Sequence, residues 1–206
     1  MKLFSCTSKV LSLVILICVN AAAVTDWSLV PPTSTAYEKF GYTVAIDGSF
    51  VVVGITEAST TSRVYIYKKT TTPNATYTLE ATLTGQTGSH FGSSVAIHGS
   101  TIVVGAPNYL INSTEYIGAV YMYTYSGSTW SEYAVIDGST GSFSPSGHTP
   151  AATSLVGVSG DMFGSSVAVL HEQYMAVGAK SANLAGKDIA KHAMSRGKHV
   201  AIVSIC

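Results

Sequence analysis

The chain has 206 residues, enough for one or two ordinary domains, and only 11% of them are charged. Eleven basic residues against eleven acidic ones leave a formal net charge of zero, so nothing equips the chain to grip nucleic acid or an anionic membrane surface. Gly, Ser, Thr, Val and Tyr fill the rest without helical heptads, which predicts an all-β protein.

Residues 1–23 read as a signal peptide. Lys2 and Lys9 give a positive start, Val10 to Val19 is apolar, and Ala21-Ala22-Ala23 supplies small residues for cleavage. The apolar run falls short of the roughly 20 residues that a membrane-spanning helix needs, so no span is expected. A secreted, extracellular product starting near Val24 follows, at the cell surface if a longer product carries a C-terminal anchor. Cys6 and Cys18 leave with the leader and only Cys206 remains. Stability is therefore expected from a large sheet assembly rather than from disulfides. Asn74-Ala75-Thr76 and Asn112-Ser113-Thr114 are glycosylation sequons in Thr-rich loops, which makes Asn74 and Asn112 the expected acceptors.

Trp27-Ser28-Leu29-Val30 reads as an isolated strand stopped by Pro31-Pro32. Three copies of one unit follow. Phe40-Gly41-Tyr42-Thr43-Val44-Ala45-Ile46 matches Phe91-Gly92-Ser93-Ser94-Val95-Ala96-Ile97 and Phe163-Gly164-Ser165-Ser166-Val167-Ala168-Val169. A second strand ends each time at a glycine, Gly54, Gly105 or Gly178, at intervals of 14, 14 and 15 residues (40 to 54, 91 to 105, 163 to 178). Asp47-Gly48 and His98-Gly99 suit tight hairpins, whereas Leu170-His171-Glu172 lacks glycine and predicts a longer turn. Third strands appear at Arg63 to Tyr67 and Gly118 to Tyr123. Their alternation puts Tyr65 with Tyr67, and Tyr121 with Tyr123, on one face. Fourth strands lie at Tyr77 to Leu83 and Trp130 to Ile136. Each unit is thus a four-stranded antiparallel meander, the sheet of a propeller blade.

Residues 137–161 are Gly-, Ser- and Pro-rich and read as a flexible surface loop. The tail 187–206 leaves the pattern. Where a Val-Tyr-x-Tyr strand is required there is Ile189 to His199, and five of the eleven basic residues lie from Lys180 onward. This tail is expected to replace a genuine continuation, through truncation, splicing or an erroneous gene model.

Phe-Gly before one strand, Gly-Ala-Pro after the next and Gly-x-Val-Tyr-x-Tyr beyond resemble the FG-GAP repeat of integrin alpha subunits and other extracellular proteins. The resemblance covers about Trp27 to Gly186 and implies β-propeller repeats over 24–186, about three blades of the seven in that fold. Phe91-Gly92 with Gly105-Ala106-Pro107 carries the whole signature; Phe40-Gly41 with Gly54, and Phe163-Gly164 with Gly178-Ala179, carry parts of it. Calcium-binding members have an Asp-rich loop between the first two strands. Here those positions hold only Asp47-Gly48-Ser49, His98-Gly99-Ser100 and His171-Glu172-Gln173, short of the six to eight or so oxygens that calcium takes. No metal or cofactor is expected. The resemblance also makes Trp27 to Val30 a lone outer strand of a closing blade.

No catalytic constellation stands out. The Gly-Ser-Ser serines belong to the repeat, and His192 and His199 lack further close ligands. Asp137 and Asp161 read as solvated loop ends rather than a glycosidase pair, and Trp130 as blade packing rather than part of a sugar platform with Tyr109 and Tyr116. The expectation is a non-catalytic extracellular recognition or adhesion module that binds a protein or glycan through its loops. The alternatives are the propeller portion of a secreted enzyme whose catalytic part is missing, or a truncated non-functional product.

Overall fold

The computed structural model describes residues 14–16, 27–32, 39–56, 62–70, 76–112, 114–138, 160–171, 174–181 and 199–202. Asn74, His192, most of the 137–161 loop and most of the 187–206 tail lie outside them. The described residues are all-β, with no helix.

Three sheets stack in a fan. The first is an antiparallel meander of β3 (Phe40–Asp47), β4 (Phe50–Ile55), β5 (Arg63–Lys69) and β6 (Tyr77–Thr84), in that order. The second repeats it with β7 (Ser94–His98), β8 (Thr101–Ala106), β11 (Ala119–Tyr125) and β12 (Trp130–Asp137). These are β-propeller blades. Two-residue turns join their first strands, with Gly48 and Gly99 at φ 55° and 56° in the first turn position. Only glycine takes that position of a type II′ turn readily, and such turns match strand twist.

The second strands explain the stacking. Phe-Val-Val-Val-Gly-Ile and Thr-Ile-Val-Val-Gly-Ala are buried along their whole length. A strand apolar on both faces needs a sheet on either side. Val52, Val64 and Ile66 of the first blade accordingly pack with Ile102, Val104, Tyr121 and Tyr123 of the second. Val103, Val120 and Met122, on the second blade's other face, pack with Phe163, Met175 and Val177 of the third.

The third blade departs from the pattern. It pairs β13 (Phe163–His171) with β14 (Tyr174–Ala179), and then β15 (His199–Ile202) runs parallel to β14 where the other blades have an antiparallel strand. The tail thus contributes a strand to the third sheet. The segment His-Val-Ala-Ile takes the open edge, and the long connection from β14 allows the parallel pairing that a hairpin would forbid. The extra residue of this copy does not lengthen the turn. His171 pairs with Tyr174, and the ladder shifts between Val169 and His171, so Leu170 is taken up as a bulge.

At the N-terminus, β2 (Trp27–Leu29) is not an isolated strand and joins no blade. It pairs antiparallel with β1 (Val14–Leu16), within residues 1–23. Leu29 is buried with Phe40, Val51, Val53, Tyr65 and Tyr67, and the Tyr67 hydroxyl donates to the Val30 carbonyl at 2.8 Å. This segment covers part of the first blade's outer face.

Candidate functional site

The repeated residues meet at the joints between blades. Lys39–Tyr42, His90–Ser93 and Met162–Ser165 form three equivalent turns, each closed by an N–H to C=O bond of 3.1 Å from its fourth residue to its first. Phe-Gly occupies the centre of each, with Gly41, Gly92 and Gly164 at φ 82°, 86° and 87°. That is a type II turn, whose third position needs positive φ and therefore glycine. The preceding residues His90 and Met162 also have positive φ, 55° and 56°.

The second and third turns each abut the glycine near the end of the preceding blade's second strand. A Cβ on Gly54 would strike the Gly92 carbonyl and the Thr43 hydroxyl; one on Gly105 would strike the Gly164 carbonyl and the Ser94 hydroxyl. The two hydroxyls are used alike. Thr43 Oγ1 donates to the Gly92 carbonyl at 2.7 Å, and buried Ser94 Oγ donates to the Gly164 carbonyl at 2.8 Å. The phenylalanines fill the gaps. Phe91 stands edge-on to Tyr121 at 5.0 Å and lies 6.4 Å from Tyr123, while Phe40 lies 6.2 and 6.4 Å from Tyr65 and Tyr67. Burial pushes the Tyr67 and Tyr121 hydroxyls up to about 12, and raises Tyr123 further in the same direction. Phe163 packs between the second and third blades. Ala106 and Ala179 are buried beside it or beside Phe91, and Pro107 is half-buried where the strand ends.

Two further contacts tie the first joint. The Asp47 carboxylate accepts from the Gly99 N–H at 2.5 Å, with His98 Nδ1 4.0 Å away. This turn acid is therefore engaged with the neighbouring blade. At the same end, Lys68 Nζ donates to the Tyr125 hydroxyl at 2.8 Å, which donates to Glu80 Oε1 at 3.0 Å. Lys68 also lies over the Phe50 and Tyr125 rings, at 5.4 and 5.1 Å. The Tyr125 bond, opposed by desolvation and helped by Glu80, raises the ammonium pKa.

At the opposite end of the second blade a small hairpin rises between β8 and β11. It pairs β9 (Leu110–Ile111) with β10 (Glu115–Tyr116). The Gln86 side chain clamps it twice, donating to the Leu110 carbonyl at 3.0 Å and accepting from its N–H at 2.7 Å. Asn112 stands exposed at its tip with φ 51°, a conformation that asparagine tolerates. Two-residue strands are too short for alternation to reveal, so sequence pattern alone misses this hairpin.

The structure separates the residues of the discounted sugar platform. Tyr109 packs on Tyr121 at 6.1 Å beside the hairpin, and Tyr116 is exposed on it. Trp130 starts β12 at the far end of the blade, buried 5.3 Å from Phe50 and 5.0 Å from Tyr125. One strand of Ala119–Tyr125 lies between, roughly 20 Å. Asp161 is buried before Met162, Asp137 ends β12, and both already have interactions. The Ser165 hydroxyl donates to the Gly178 carbonyl at 3.1 Å and accepts from the Lys180 N–H at 3.0 Å, so it too is structural. Among the described residues no group of three His, Cys, Asp or Glu stands close enough to hold a metal, and no helix is long and apolar enough to cross a membrane.

Residues 77–123 match the model of the FG-GAP repeat family. The match runs from the fourth strand of the first blade through the third strand of the second, and so spans the joint between them. No curated protein matches the chain.

Proposed function

We propose that the chain is an extracellular recognition module without catalysis of its own, which binds a protein or glycan through the loops at the ends of its blades. The observation that carries this reading is the division of labour within the repeat. The motif's turn glycines, hydroxyls and aromatic rings are consumed in joining blades, whereas the β9–β10 hairpin is held out from them with Glu115 and Tyr116 exposed. An exposed aromatic on a rigidly clamped loop offers contact area at little cost in conformational entropy. The leader-like residues 1–23 support an extracellular setting, and the neutral net charge fits an uncharged glycan or a mixed protein surface better than a polyanion.

The test is binding to arrayed glycans and extracellular matrix proteins by chain recovered from culture medium. Tyr116→Ala is expected to weaken the captured interaction by about tenfold, the order of losing one exposed aromatic contact, while leaving thermal unfolding unchanged. Hydrolysis of a glycan or ester substrate that disappears in Asp137→Asn or Asp161→Asn would overturn the reading.

A further inference from the structure

The second strand of each sheet has the same kind of neighbour on one side and different ones on the other. β4, β8 and β14 all pair antiparallel with the first strand of their own blade. On the far side β4 takes β5 and β8 takes β11, each antiparallel over six residue pairs. β14 takes β15 instead, parallel and over four pairs. Parallel pairing is slightly weaker per residue, and here it is also shorter, so β15 is held less firmly than its counterparts.

The register shows what the position is shaped for. Tyr65 and Tyr67 stand opposite Val53 and Val51, and Tyr121 and Tyr123 stand opposite Val104 and Ile102. Counted back from Gly54, Gly105 and Gly178, the corresponding residues of β14 are Val177 and Met175. β15 sets Ile202 and Val200 at those two registers, so aliphatic residues stand where both other blades carry tyrosine. The consequence falls on Phe163. Phe40 lies against Tyr65 and Tyr67, and Phe91 against Tyr121 and Tyr123, whereas Phe163 makes no ring contact among the described residues. Phe163, Met175 and Val177 nonetheless share one buried cluster with Val120 and Met122 of the second blade, the counterpart of the cluster that holds Phe91 with Tyr121.

We infer that the β14 edge binds peptide by strand exchange: an extended Tyr-x-Tyr segment of a partner polypeptide pairs antiparallel with β14 and displaces β15. The occupant's chemistry follows from β5 and β11, which show what the same edge holds in the other two sheets. The exchange replaces a short parallel ladder by a longer antiparallel one, and it sets two tyrosines opposite Val177 and Met175, on the side of Phe163. In strand addition of this kind main-chain hydrogen bonds give affinity and alternate side chains give specificity. Before the partner arrives β15 covers the edge, which keeps a bare strand from pairing indiscriminately. The β14 edge is a different surface from the β9–β10 hairpin, so recognition at one does not depend on recognition at the other.

The probe is a labelled peptide, Gly-Ala-Val-Tyr-Met-Tyr-Thr-Tyr, copied from residues 118–125 and titrated into the whole chain by fluorescence anisotropy. Saturable binding is expected, weaker by at least about tenfold when the two tyrosines flanking methionine are replaced by threonine, which keeps the strand propensity. Amide hydrogen exchange at residues 199–202 should quicken when the peptide is added, while β3 to β6 keep their protection. Val200→Pro combined with Ala201→Pro strips one ladder N–H from β15 whichever of the two faces β14, and should tighten the peptide by at least about tenfold. Should that variant not fold, the peptide comparison and the exchange measurement on the parent chain decide alone. Absence of saturable binding, equal binding of the threonine peptide, or binding that leaves exchange at 199–202 unchanged overturns the inference.

Discussion

Gly105→Ala isolates the close approach that sets the spacing of the blades. Gly105 is not among the glycines at positive φ, so the new methyl meets no dihedral penalty. It meets the neighbouring blade instead: the Gly164 carbonyl and Ser94 hydroxyl lie inside contact distance, and the Gly164 carbonyl carbon is at 3.0 Å. These are backbone atoms and a hydrogen-bonded hydroxyl, neither of which swings aside, so the third blade must move. Overpacking of this kind costs about 1–3 kcal/mol. The same displacement breaks the 2.8 Å bond from Ser94 Oγ, whose hydroxyl is buried, and leaving it unpaired costs about 1–3 kcal/mol more. Removing a glycine from the unfolded chain returns about 0.4–1 kcal/mol. A net loss of about 2–4 kcal/mol is expected, read as a fall in the urea midpoint of about 1–2 M for an ordinary slope. Ser94→Ala should cost about 1–2 kcal/mol alone, and the double substitution less than the sum, because both act on one contact. Gly54→Ala, which meets Gly92 and Thr43 in the same way, should cost a similar amount. A Gly105→Ala chain within about 0.5 kcal/mol of the parent would show that the glycine pair does not set the joint.

Two other outcomes follow from the same packing. Tyr67 and Tyr121 ionise near 12 in the folded chain against 10.0 for the free side chain, chiefly because burial disfavours the phenolate. A raised folded value means that their contribution to stability is intact below pH 10 and is lost as the pH climbs towards 12. Phenolate absorbance and circular dichroism followed together should therefore show the last tyrosines ionising as the sheets unfold. Complete ionisation by about pH 11 with the fold intact would contradict the burial of the pairs. At the hairpin tip, Thr114→Ala destroys the Asn112 sequon without touching the φ of 51°. It should abolish one glycosidase-sensitive band in material from a secretory host while leaving the unfolding free energy within about 0.5 kcal/mol of the parent's.

Much of the fold was legible because the repeat reports the same physical demand three times. A single Phe-Gly says little; three at matching distances from a strand-ending glycine mark a recurring turn and a recurring close approach. The tyrosine alternation likewise separated the two faces of each blade, and the structure shows Tyr65 and Tyr67 buried on one face while Val64 and Ile66 pack on the other. What remained hidden depends on partners distant in sequence. The β15 strand pairs parallel across a long connection, and four residues, His-Val-Ala-Ile, carry no sign of where they will dock. The bulge at Leu170 and a longer turn give the same residue count. Only the His171 to Tyr174 pairing decides between them. Asp47 read as an isolated turn acid, because its partner, the Gly99 N–H, is 52 residues away.

The site was less legible than the fold for a related reason. The family-matched segment 77–123 is out of phase with the blade by one strand, beginning in β6 of one blade and ending in β11 of the next. That segment contains a whole joint and only parts of two blades, and the recurring Phe-Gly and strand-ending glycine within it are residues that hold sheets together. The hydroxyl of Ser94, the ring of Phe91 and the backbone of Gly92 are each committed to that contact. A group already hydrogen-bonded and buried in a joint cannot also meet a ligand without opening it. Under the proposed reading, recognition falls to segments between the recurring positions, where the joint imposes no residue type. The hairpin between β8 and β11 is such a segment, tied to the blade through the Gln86 side chain rather than through the repeated motif.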